Sequence, residues 1–222
     1  MERTIKVTGT GKISVKPDIT IVSLDFYDIA KSYETALKTS ANGVNFVKEV
    51  LEKTGICRDS LKTTMFNVNS YYQSYKDKDG EYKSRFAGYK YSQTLKFEFD
   101  IDNKKLGKVL YHLSKLPISS NFRISYGIKN IEEAKNELLS KAICDAKKKA
   151  EIISKAAGVT LDEIIDINYS WLDVDYRSVQ YDVCEEKMKM NKYMNSNEEY
   201  EIDIEPEYIQ KSDNVTLVYR IK

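Results

Sequence analysis

His112 is the only histidine in the chain, which excludes zinc sites built on several histidines and proteases of the HExxH kind. It lies between Tyr111 and Leu113 with no serine or cysteine pattern beside it that would mark a nucleophile. The GTG at residues 9 to 11 lacks the third glycine of a dinucleotide fingerprint, and it joins two strand-like runs rather than a strand to a helix, so it reads as a turn. DKDGE resembles a calcium loop, but counting back from Gly80 puts Tyr75 at the first ligand position and Phe86 at the twelfth, and neither can ligate calcium. The three cysteines, Cys57, Cys144 and Cys184, are far apart and outside any CxxC spacing. Cys57 follows the C-terminal end of a predicted helix, where the dipole disfavours a thiolate. Cys144 falls opposite an alanine stripe, on the face with Glu137, Lys147 and Glu151, and Lys148 is one turn on. An exposed thiol near lysines is the one side chain here that could support peroxide chemistry. No catalytic constellation, cofactor site or metal site is legible.

The second chemical feature is aromatic. Of 17 tyrosines, Tyr71, Tyr72, Tyr75 and Tyr82 cluster around KDKDGEYK, and Tyr89 and Tyr91 follow on the return strand. Interleaved lysines would suit stacking on single-stranded nucleic acid, but Asp77, Asp79 and Glu81 in the same loop repel phosphate. Tyrosine also packs well at partly wet protein interfaces, so the four hairpin tyrosines are candidate subunit contacts.

Antiparallel strands and amphipathic helices must position these groups. Period-two runs at Ile5–Val7 and Ile13–Val15, split by Gly9 and Gly11 and closed by Pro17-Asp18, predict a short hairpin. A strand over 19–30 has Val22, Leu24 and Phe26 on one face. A helix over about 33–54 uses Leu37, Ala41, Val44, Val47 and Leu51, with Gly55 as its cap. Strands over about 61–75 and 82–101 flank the Asp79-Gly80 turn, and Tyr89, Tyr91, Leu95, Phe97, Phe99 and Ile101 share one side of the second. After a short helix ending near Pro117 and a strand through Phe122–Ile128, a long helix spans 131–157 and is capped by Gly158. Its stripe runs Ile131, Ala134, Leu138, Ala142, Ala146, Ala150, Ile153 and Ala157, small enough for close approach to a sheet. Strand patterns return at 165–171 and 215–221. The helix exits TGICRDSLKT and AGVTLDEIID match in kind. The reading is therefore one α+β domain over 1–222 with long antiparallel strands and helices packed on the sheets. It comprises a first βαββ unit (19–101), a connecting helix (102–118) and a second βαββ unit (119–222) with a long insertion at 173–204. That insertion is rich in Met and Tyr and reads as a mobile loop or a subunit-contacting arm.

Lys and Arg total 35 against 34 Asp and Glu, which removes the basic footprint of a nucleic-acid binder. No run approaches the roughly 18 apolar residues of a membrane span, and MERTIKVTGTGK is not the apolar leader of an exported chain. With an odd number of scattered cysteines, the expectation is a soluble, cytoplasmic protein.

The opening VTGTGKISVKPDITIVSLDF resembles the start of the SIMPL domain, a widespread bacterial group that includes periplasmic immunogenic proteins and proteins named for oxidative-stress defence. TGICRDSLKTTMFNV, GYKYSQTLKFEFDI, AICDAKKKAEIISKAAGV and EPEYIQKSDNVTLVYRI resemble the successive later blocks, so the likeness covers nearly the whole chain. The resemblance implies an α+β fold of βαββ type and homo-oligomers that can be large and ring-like. Biochemical activity is undefined for the group, so Gly9, Gly11, Pro17, Asp18, Gly55 and Gly158 carry over as structural marks alone. Two departures stand out: no export signal of the kind seen in periplasmic relatives, and the unusual composition of 173–204.

The leading expectation is a non-enzymatic, self-associating protein with a part in stress tolerance. A small-molecule or peptide binder using a groove between the two units is the first alternative, and a thiol-dependent antioxidant using Cys144 is the second. Replacing Cys144 with Ser is expected to leave peroxide consumption by the purified protein unchanged in a peroxide-depletion assay. A rate that falls to background would establish the thiol chemistry instead.

Overall fold

The computed structural model describes residues 3–117, 120–169, 176–178, 181–183 and 203–222. The strands among them are β1 (Thr4–Val15), β2 (Ile19–Ala30), β3 (Lys62–Lys76), β4 (Tyr82–Asp100), β5 (Ser120–Gly127), β6 (Leu161–Asn168), β7 (Tyr181–Val183) and β8 (Ile209–Ile221). The helices are α1 (Tyr33–Lys53), α2 (Asn103–Leu113) and α3 (Ile131–Ala157). The α+β class follows. Most of the 173–204 insertion lies outside the described residues, including Cys184, Met188, Met190, Tyr193, Met194 and Tyr200. Its described parts include β7, which pairs antiparallel with β5, and Tyr176, which is buried.

The chain divides into two compact units. The first comprises residues 1–18, 127–178 and 206–222, and the second comprises 19–126 and 179–205.

The first unit is a three-stranded sheet ordered β1-β8-β6, with α3 on one face. The sequence predicted a hairpin with its turn at Gly9–Gly11, but β1 is one continuous strand, and it pairs antiparallel with β8 from Thr4↔Arg220 to Val15↔Ile209. The glycines serve the helix instead. A Cβ built on Gly9 would lie 2.1 Å from the Ala142 carbonyl oxygen, and one on Gly11 would lie 2.2 Å from that of Leu138. No side chain fits between strand and helix at those two points, so the backbones touch there. Ala142, Ala146 and Ala150 supply the helix side of the seam and pack with Val7, Val215 and Leu217. Ile131, Ile153 and Ala157 leave the predicted stripe and are exposed, and Ser154 is buried beside Ile153.

The other family marks are equally local. The Asp18 amide donates to the Gly127 carbonyl at 2.9 Å, and its carboxylate accepts from the Lys129 amide at 2.8 Å. Pro17 beside it is buried. Gly158 caps α3 at φ 66°, a left-handed conformation that glycine adopts without Cβ strain. Gly55 follows α1 in the same way.

In the second unit five strands run in the order β3-β4-β2-β5-β7. β2 and β4 pair antiparallel from Ile19↔Asp100 to Ala30↔Tyr89. Val22, Leu24 and Phe26 on β2 and Tyr91, Leu95 and Phe97 on β4 form the core with Ala36, Val47 and Leu51 of α1 and Leu106, Val109 and Leu110 of α2. Asp102 caps α2 by accepting from the Lys105 amide, and Ser32 caps α1 in the same way through Thr35. The buried face of α1 is rotated from the predicted stripe: Ala36, Ser40 and Gly43 are buried and Leu37 is exposed. The cause is polar. The Ser40 hydroxyl donates to Gln93 Oε1 at 2.6 Å, a buried pair that turns this side of the helix toward β4.

Gly9→Ala is expected to destabilise the first unit by about 3 kcal/mol, because the added methyl must push two backbones apart. Urea midpoints of the two proteins measure it. A midpoint within experimental error of the parent would show that the seam accommodates a side chain.

Candidate functional site

β3 and β4 continue past the core as a two-stranded arm. Register holds from Lys62↔Lys96 to Lys76↔Tyr82 with two breaks. One break leaves Ala87 unmatched, since Tyr71 pairs with Gly88 and Tyr72 with Phe86. Glycine belongs at Gly88, where a Cβ would meet the Ala30 carbonyl oxygen at 2.4 Å. The bulge flips the alternation of β4, so Phe86 and Tyr89 come to the same face.

The result is a ladder of edge-to-face rings on the side of the sheet that α1 covers further down. Tyr33, the first residue of α1, meets Tyr89 at 5.9 Å between centroids. Tyr89 meets Phe86 at 5.4 Å, and Phe86 meets Tyr72 at 5.8 Å. Such pairs are favourable beyond the area they bury. Three of the four rings still face solvent: Tyr72 is 59% exposed, Tyr33 51% and Phe86 50%.

The four tyrosines singled out from sequence do not form one patch. Tyr72 belongs to the ladder, and Tyr82, 76% exposed, shares its face through the Lys76↔Tyr82 pair, with the Lys76 ammonium 4.9 Å from the Tyr82 ring centroid. Tyr71 and Tyr75 alternate to the opposite face, where the Arg85 guanidinium lies 5.8 Å from the Tyr75 ring centroid. Phe86 and Tyr33 are the additions made by the structure. The signal for Phe86 was a glycine inside a strand, a common mark of a bulge. Tyr33 enters by tertiary packing alone.

The arm's tip is closed by one carboxylate. Asp77 accepts from the amides of Asp79 and Glu81, each at 3.0 Å, and pairs with Lys83. The Lys83 ammonium and then these amides hold the Asp77 carboxyl below its usual range. At the arm's base Tyr91 is fully buried, and its ring lies edge-on to Phe26 at 6.3 Å.

Cys144 is exposed and free on α3. Its neighbour Asp145 accepts from the Thr10 amide of β1 at 2.7 Å and pairs with Lys149. The Lys149 ammonium and then the Thr10 amide lower the pKa of Asp145. The structure therefore gives this stretch a role in joining helix to strand.

Helices packed on antiparallel sheets agree with the α+β class that the sequence resemblance implies. The profile of the SIMPL family, described as "Protein of unknown function (DUF541)", matches residues 5–219, and the chain belongs to that family. It is 26% identical over 164 residues to the 26 kDa periplasmic immunogenic protein of Brucella melitensis biotype 1, and equally to that of Brucella abortus strain S19. Each match covers 74% of this chain and 65% of the relative, so it spans less than two thirds of the relatives' length.

These relatives overturn the expectation of a cytoplasmic protein, since both are named as periplasmic. The physical basis of that expectation was thin. Scattered cysteines argue against a disulfide framework but carry no cellular address. No helix among the described residues is long and apolar enough to cross a membrane.

Burial, and then the charge of Asp28, push the Tyr91 phenol up to about 12 from its usual 10.0. The fold thus favours the neutral phenol, so this contribution is full below pH 10 and is lost as pH rises from about 10 through 12. The Tyr91 hydroxyl has no hydrogen-bond partner among the described residues. Tyr91→Phe is therefore expected to be neutral or slightly stabilising near pH 8, within about 1 kcal/mol. Near pH 11 it is expected to be more stable than the parent by urea titration. Identical pH profiles for the two proteins would contradict this.

Proposed function

We propose that this SIMPL-family protein works through self-association, with the aromatic arm as its contact surface and the periplasm as its compartment. The observation that carries the reading is the exposed ladder of Tyr33, Phe86 and Tyr72 at the end of a strand anchored in the core. The rings pair with one another yet remain half in water, and burial against another subunit would return the transfer free energy of the exposed part of each ring. Tyrosine, phenylalanine and arginine are also the residue types enriched where protein surfaces meet. The periplasmic assignment is supported by the names of the two Brucella relatives.

Light scattering over a concentration series tests the reading. The expected outcome is a defined multimer that persists on dilution, with Tyr72→Ala combined with Phe86→Ala lowering the assembled mass while the circular-dichroism spectrum stays that of the folded parent. A mass of 25.7 kDa at every concentration would refute self-association.

A further inference from the structure

Every open sheet has two edges, and an unpaired edge invites strand addition unless it is guarded. Among the described residues four strands lie at edges: β1 and β6 in one sheet, β3 and β7 in the other. Three are guarded. The edge of β1 is occupied by α3, where Asp145 takes the Thr10 amide and Lys149 donates to the Thr8 carbonyl at 3.1 Å. β6 is broken by two register shifts and carries Asp162, Glu163 and Asp166. Among the described residues β7 spans only Tyr181–Val183.

β3 has none of these protections. It has 15 residues, nearly all exposed. Between Lys62 and Lys76 it reads TTMFNVNSYYQSY, without a single charge or proline, in a chain whose residues are 31% charged. Its own irregularity, at Thr63/Met65, lies near the start, and the second shift is a bulge in β4, so β3 alternates regularly from Met65 to Lys76.

We infer that β3 is a pairing edge whose partner is β3 of a second copy of this chain, joined antiparallel about a two-fold axis at Ser70. This rests on the self-association reading and specifies its geometry. An axis perpendicular to a continuous sheet keeps each side chain on its own face, so residues whose numbers sum to a constant even value lie opposite one another. Centring on Ser70 keeps the pairing within the regular stretch that starts at Met65, and it places Val68 opposite Tyr72 and Met65 opposite Tyr75, each twice. These are β-branched–aromatic and sulfur–aromatic pairs of the kind that stabilise neighbouring strands. The Val68–Tyr72 pairs fall on the ladder face, so each copy's exposed rings would extend over the joint.

Cysteine cross-linking tests the register, using the full chain with Cys57, Cys144 and Cys184 replaced by Ser. Ser70→Cys brings two thiols face to face across the axis and is expected to give a covalent dimer on mild oxidation. Asn67→Cys, opposite Gln73, holds its two thiols roughly 20 Å apart and is expected to stay largely uncross-linked. In a second variant, Asn69→Lys with Tyr71→Lys sets ammonium groups opposite one another twice and is expected to raise the dissociation constant about tenfold. The thermal midpoint reports that the variant remains folded. A chain that assembles but cross-links equally at both positions, or ignores the lysines, overturns the edge pairing and leaves self-association standing. A chain that is monomeric at all concentrations overturns both, and leaves the edge to a strand from a different protein.

Discussion

A two-stranded ribbon in water is marginal at best, so an exposed arm must borrow its stability from somewhere. Here the lender is β4, a single strand of 19 residues that is half core and half arm. From Tyr91 to Phe99 its alternate side chains are sealed between β2 and the helices. From Tyr82 to Ala87 every residue is exposed. Because the two halves share one backbone, the buried half sets the direction and register of the exposed one. The bulge at Ala87–Gly88 lies where the two regimes meet, and it re-aims Phe86 onto the face already occupied by Tyr89.

The first unit solves a different problem with a different device. Three strands and one helix offer little area to bury, and the helix compensates by approaching until backbone meets backbone at Gly9 and Gly11. The approach has a second benefit: it brings Asp145 and Lys149 within reach of the free edge of β1, so one helix both covers a face and closes an edge. Hydrophobic packing and edge protection are thus coupled in the first unit, whereas in the second α1 covers a face and leaves the edge of β3 open.

Much of this was legible beforehand. Strand and helix positions followed from period-two and period-3.6 patterns, and the burial side of β4 followed from Tyr91, Leu95, Phe97 and Phe99. The errors have physical causes. Gly9 and Gly11 looked like a turn because local sequence cannot distinguish a glycine that bends the chain from one that admits a helix from a distant part of the chain. The seam of α1 was misplaced because Gln93, a polar residue on a distant strand, draws Ser40 inward. For the candidate site, the sequence identified the tyrosine-rich hairpin but not that Phe86 and Tyr89 share a face, since a one-residue bulge inverts the alternation of β4.

What the sequence determined by itself was therefore periodic and local: the elements, their caps at Gly55 and Gly158, the turn at Asp79-Gly80, and an uncharged run from Thr63 to Tyr75. Tertiary structure decided which surfaces were spent and which were left. It paired β1 with β8, seated α3 on two glycines, and left β3 at an edge with the rings of Tyr33, Tyr89, Phe86 and Tyr72 in contact. The reason is that burial and edge exposure are relations between segments far apart in the chain, and no periodicity within one segment encodes its neighbour.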